Sequence, residues 1–119
     1  MADIHLDNAV LAGLQDIMEA EYPLLLDTFI ADSEERLRLL HAAVANGDTH
    51  ELRLAAHSFK GSCSNMGAPA LALLCKQLED DSRSATVLDE APAVLEQIER
   101  EFAIVRILLK SERQRFSSL

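Results

Sequence analysis

Apolar residues recur along this chain at intervals of three and four almost from end to end. That is the rhythm of amphipathic helices and not the strict alternation of strands. In the first helix it predicts, Val10, Leu11, Leu14, Ile17 and Met18 share a face, Asp7 caps the start, and the pattern stops before Tyr22-Pro23. A longer second helix takes Pro23 into its first turn, where a missing N–H does no harm, and marks its inner face with Leu25, Phe29, Leu37, Leu40 and Val44. Asn46-Gly47 closes it, because glycine enters the left-handed C-terminal conformation at little cost.

Asp48 caps a third helix and forms a capping-box-like pair with Glu51, three residues on. Its apolar positions are Leu52, Ala55, Phe59, Cys63 and Met66, and Gly67 ends it. Ala68-Pro69 opens a fourth helix with Leu71, Leu74, Cys75 and Leu78 inward, and DDSRSAT at 80–86 reads as a polar turn. The last helix begins near Asp89 with Pro92 tolerable in its first turn. It carries Val94, Leu95, Ile98, Phe102, Val105, Leu108 and Leu109, then a basic, frayed end at Lys110–Arg115. Such short connections make neighbours antiparallel. The expected fold is therefore all-α: an antiparallel four-helix bundle with the short N-terminal helix as a lid, one domain over residues 1–119.

Composition agrees, since Leu and Ala dominate while the chain has one Tyr, four Phe and no Trp. The formal charge of −9 removes nucleic acid from the expected partners, because phosphate binding needs a basic footprint. The acidity reads as a solvated surface, and the protein is expected to be a monomer. No apolar run approaches the roughly 18 residues of a membrane span. The opening MADIHLDNAV has neither a basic n-region nor an apolar h-region, which predicts no signal peptide and a cytoplasmic location. Cys63 and Cys75 lack CxxC spacing and read as small buried hydrophobes. His5, His41 and His50 show no HxxH or HxxxH pairing, so a haem- or iron-carrying bundle lacks the convergent ligands it would need.

One stretch resists a purely structural reading: AAHSFKGSCSNMG, residues 55–67. Gly61 stands inside the third helix, where glycine costs about 1 kcal/mol relative to alanine. Helical spacing puts Lys60, Gly61 and Ser64 on the face of His57, with Arg53 and Leu54 behind it and the core positions elsewhere. A neutral imidazole is a nucleophile near neutral pH. An ammonium one turn away can screen an arriving phosphoryl group, and a missing side chain leaves a partner room to approach. A plain surface histidine and a glycine needed for close helix packing are the competing readings, and the residues alone leave both open. For the chain as a whole, a purely structural helical adaptor and a metal- or haem-bearing bundle compete with phosphoryl chemistry.

AHSFKGSCSNMGAPAL resembles the signature of histidine phosphotransfer domains: Ala56, His57, Phe59, Lys60, Gly61, then Met66-Gly67 and Leu71. The resemblance implies a four-helix bundle whose third helix displays the phosphoacceptor His57, as a stand-alone phosphoryl carrier without kinase or phosphatase machinery of its own. The group would shuttle between His57 and an aspartate of a receiver domain, in a hybrid sensor kinase or a response regulator. No cofactor is expected in this chain; Mg²⁺ would belong to the partner receiver. Glu79 falls where the family often carries a Gln or Glu that hydrogen-bonds the imidazole Nδ1. The hairpin at 67–69 independently returns residues 77–79 to the level of His57, which leaves Gln77 as the other candidate and a solvated surface acid as the plain reading of Glu79. A docking patch around His57 is expected to draw on Met18, Leu26 or Phe29, beside Leu54 and Gly61.

Overall fold

A computed structural model describes residues 4–116, so the first three and last three residues of the expected domain lie outside it. Five α-helices follow one another: α1 (Asn8–Met18), α2 (Tyr22–Asn46), α3 (Thr49–Met66), α4 (Pro69–Asp81) and α5 (Val87–Gln114), with a single 3₁₀ turn at Glu19–Glu21 after α1. No strand occurs among the described residues. The last four helices form the expected antiparallel bundle.

The caps are those read from the sequence, except that the Asp48–Glu51 box is half made, the Asp48 amide donating to the Ala43 carbonyl at 2.9 Å. The Asp7 carboxylate accepts from the amides of Ala9 and Val10, and that of Asp48 accepts from the Glu51 amide at 3.0 Å. Gly47 and Gly67 close α2 and α3 with φ of 66° and 75°. Gly67 is fixed a second way: a β-carbon there would lie 2.8 Å from Cβ of Val10. That contact belongs to the lid. The Asp7 amide donates to the Gly67 carbonyl at 2.7 Å, and Leu11 is buried, so α1 lies over the end of the bundle where α3 turns into α4.

The core runs the length of the bundle and includes Leu26, Leu40, Leu52, Phe59, Leu78 and Ile98. Phe59 of α3 meets Phe102 of α5 edge to face at 6.4 Å. Both cysteines are free and fully buried.

Several local expectations are corrected. Ile17, placed on the inner face of the first helix, is 78% exposed, because α1 touches the bundle along a narrow side with Leu11 as its buried residue. In α2 the rotation favours Leu26 and Ile30 beside Phe29 and Leu40, leaving Leu25, Leu37 and Val44 partly buried at the margin. In α3 it is Ala56 that is fully buried, with Ala55 at the edge. Helix α5 starts at Val87, two residues before Asp89, because the buried Val87 side chain anchors its first turn; Pro92 then falls in the second turn. Its basic end is held, not frayed. The Tyr22 hydroxyl donates to Glu112 at 2.8 Å, Arg113 pairs with Asp27 at 3.0 Å, and the Phe116 ring packs edge-on against Tyr22. Leu108, expected inward on that helix, is 39% exposed.

Candidate functional site

His57 lies midway along α3, and Phe59, Cys63 and Met66 of the same helix turn into the core. Their burial fixes the rotation of α3, and the opposite side then faces solvent by helical geometry. The His57 side chain is 65% exposed. Gly61, one turn on, is exposed as well, and a β-carbon built there would meet nothing within 4 Å. The packing explanation for this glycine therefore fails: no neighbouring helix needs its missing side chain.

The Gly67 reversal runs α4 back beside α3, and Leu71, Cys75 and Leu78 bury themselves at spacings of three and four. That burial turns Glu79, the next residue, toward α3. Its Oε2 lies 2.7 Å from His57 Nδ1, and its Oε1 accepts from Lys60 Nζ at 2.7 Å. Gln77 is exposed on α4. Of the two candidates, then, the structure brings Glu79 to the ring. The plain reading of Glu79 as a solvated acid also fails, since only 14% of its side chain is exposed.

The electrostatics follow from the geometry. The hydrogen bond from Lys60, joined by that from His57 and by the charge of the Lys60 ammonium, holds the Glu79 carboxyl below its usual range against the opposing effect of partial burial. An ionised carboxylate can only accept hydrogen bonds, so the proton of a neutral His57 belongs on Nδ1. Nε2 is then left with its lone pair.

The structure thus gathers His57, Lys60, Gly61 and Glu79 around one patch. It also shows two contacts the sequence reading missed. One is the Lys60–Glu79 ion pair; the hairpin register that carries residue 79 to position 57 also carries it to position 60, one turn along. The other is Arg36 of α2, whose Nε donates to the hydroxyl of Ser58 at 3.1 Å. No local pattern pointed to it, because it depends on how α2 is rotated. The docking expectation needs correction. Leu26 and Phe29 are 0% and 5% exposed, drawn into the core, whereas Leu54 stays 47% exposed beside His57 and Met18 is half-buried.

Among the described residues, no group of three or more His, Cys, Asp and Glu side chains is placed to hold a metal ion. None of their helices is long and apolar enough to cross a membrane. Comparison with known proteins bears directly on the patch. The Hpt domain profile matches residues 24–101. The phosphorelay protein LuxU of Vibrio vulnificus strain YJ016 is 27% identical over 96 residues, covering 80% of this chain and 84% of LuxU. The crystal structure of histidine-containing phosphotransfer protein B (HptB) from Pseudomonas aeruginosa PAO1 superposes with a TM-score of 0.92 at 63% identity, covering 97% of this chain and 99% of that one. With the profile spanning most of the bundle, the fold reproduced and the exposed histidine at its centre, this chain belongs to the histidine phosphotransfer (Hpt) domain family and is a phosphotransfer protein of a phosphorelay.

Proposed function

We propose that His57 is the residue that carries the phosphoryl group, accepting it from the aspartyl phosphate of one receiver domain and passing it to the aspartate of another. The observation that supports this most is the contact of His57 Nδ1 with Glu79, which in the neutral ring leaves the lone pair on Nε2 of an exposed side chain. In the forward step Nε2 forms a bond to phosphorus, the phosphorus–oxygen bond breaks, and the receiver's aspartate leaves as a carboxylate. The imidazole proton stays on Nδ1, where Glu79 steadies the positive charge that develops on the ring. Lys60 is one turn from the acceptor and supplies a cation for the phosphoryl oxygens, while Gly61 leaves room for the receiver surface.

Mg²⁺ and the remaining catalytic groups belong on this reading to the receiver, and the chain acts as a cytoplasmic, monomeric carrier with no kinase or phosphatase activity of its own. The donor is a receiver of a hybrid sensor kinase and the acceptor that of a response regulator. A helical adaptor would bind partners without taking label. The test is to offer the purified protein a panel of phosphorylated receiver domains. At least one should transfer its label, as an acid-labile, base-stable phosphohistidine; label that survives acid would place the group on a serine such as Ser58, Ser62 or Ser64 instead.

A further inference from the structure

Arg36 of α2 is tied to the residue beside the acceptor and to no acid. Its Nε donates to Ser58 Oγ at 3.1 Å, and among the described residues no carboxylate lies within ion-pairing distance of it. The chain carries 20 Asp and Glu against 11 Lys and Arg, so a cation without an acid is an exception that asks for a cause. Glu35, its neighbour on α2, is held by Arg38 through both carboxylate oxygens, and Asp32, one turn back, lines the same α2–α3 groove without pairing to it. From this free guanidinium edge we infer that Arg36 is a specificity-determining residue, which takes a carboxylate on the surface of the receiver docked at His57. The inference rests on the reading of His57 as acceptor.

A guanidinium is a planar fork of N–H donors. With Nε committed to Ser58, both terminal nitrogens remain, and the edge between them matches the two oxygens of a carboxylate. The bond to Ser58 also holds a long side chain in place before a partner arrives, which reduces the entropy lost on binding. Arg36 is half-buried, and Leu39, 42% exposed, and the half-buried Ala55 line the groove with it. Partly desolvated arginines beside apolar surface are frequent anchors of interfaces. The other cations without an acid are placed differently. Arg53 is bound to His50 at 3.1 Å, Arg83 sits in the α4–α5 turn, and Lys110 lies on α5, across the bundle from α3.

Position puts this edge under the partner. A specific complex covers about 800 Å² on each protein, a patch about 16 Å in radius. Centred on His57, such a footprint takes in Ser58, the next residue, and the guanidinium bonded to it. It does so on the α2 side of α3, away from Lys60 and Glu79. A receiver with a carboxylate at that point gains a charge-assisted pair, and one with a cation there is repelled. Arg36 therefore sorts receivers by a surface residue outside their reacting groups.

The experiment titrates the receiver domains of the panel, unphosphorylated, into wild type, Arg36→Met and Arg36→Glu by calorimetry. Methionine keeps the aliphatic stem and removes the charge, so that variant should melt close to wild type. For at least one receiver, Arg36→Met should raise Kd by about tenfold and flatten its dependence on salt, and Arg36→Glu should raise it further. Changing the acids around that receiver's phosphorylated aspartate to lysine, one at a time, should find one that restores binding to Arg36→Glu. The loss should appear in transfer from receivers and not in acceptance from phosphoramidate, a small donor with no protein surface. Unchanged Kd in both variants for every receiver, no binding of any receiver to the wild type, no rescuing acid, or an equal loss with phosphoramidate would overturn the inference. Binding needs no phosphoryl group, so the titrations still decide it should His57→Gln go on taking label and the acceptor reading itself fail.

Discussion

Gly61 and Gly67 belong to one helix and its cap, yet substituting alanine at each should move stability in opposite directions. At Gly61 the backbone is helical, and an added β-carbon would touch nothing within 4 Å. Helix propensity and the smaller entropy of the unfolded chain both favour alanine, so Gly61→Ala should stabilise the protein by about 0.4–1 kcal/mol. For a domain of this size that raises Tm by about 2–6 °C. At Gly67 the φ of 75° suits glycine, and Val10 Cβ stands 2.8 Å from the would-be β-carbon. The left-handed conformation costs about 1–2 kcal/mol with a side chain, and pushing α1 off its seat adds overpacking strain of about 1–3 kcal/mol. Gly67→Ala should therefore lose about 2 kcal/mol or more. Thermal and urea melts of the two variants against wild type measure both signs. A destabilised Gly61→Ala would show that the glycine serves packing after all and would refute the access role given to it. Gly61→Gln completes the test, since it should keep the fold and impede transfer from a receiver; full-speed transfer would be equally damaging.

Stability should also report the Glu79 network. Its carboxyl titrates below the ordinary value of 4.5, so its contribution is fully present above that value and is lost as pH falls through the lower, folded one. Wild type should melt above Glu79→Gln at pH 7, and the gap should close on acidification below about pH 4; a gap independent of pH would contradict the ion pair. Cys63 is buried beside Cys75, whose hydrogen bond, with burial, pushes the Cys63 thiol far above its usual range. Neither cysteine should react with iodoacetamide in the folded protein, and both should do so in urea; rapid native labelling would contradict the packing of α3 on α4.

The helices were legible wherever a local cause sets their ends. Asp7, Asp48, Gly47 and Gly67 act on backbone groups within a few residues, and each does in the structure what its position along the chain predicts. The rotation of α2 was not legible. YPLLLDTFI is apolar at nearly every place, so several stripes fit, and contacts with the rest of the bundle chose Leu26 over Leu25 and left Leu24 63% exposed. The end of α5 misled for a related reason: Tyr22 and Asp27, which hold it, lie more than eighty residues earlier. At the site, the face of His57, Lys60 and Gly61 followed from a period of 3.6, and the α3–α4 reversal left Gln77 and Glu79 as the residues of α4 level with the ring. Choosing Glu79 over Gln77 required knowing which side of α4 is buried. The Lys60–Glu79 pair follows from the α3–α4 register and leaves no mark in the local pattern around either residue.

The central claim is that the phosphoryl group travels on His57, and it is tested most directly by transfer from a phosphorylated receiver to His57→Gln beside the wild type, with the labelled residue located by mass spectrometry under neutral conditions. Because the ring is largely exposed, the substitution should change stability by only about 0.5 kcal/mol and leave helix content intact. The account predicts one phosphorylated histidine, at position 57, in the wild type and no label in the folded variant. Label on a folded His57→Gln protein, or on any other residue of the wild type, would contradict it.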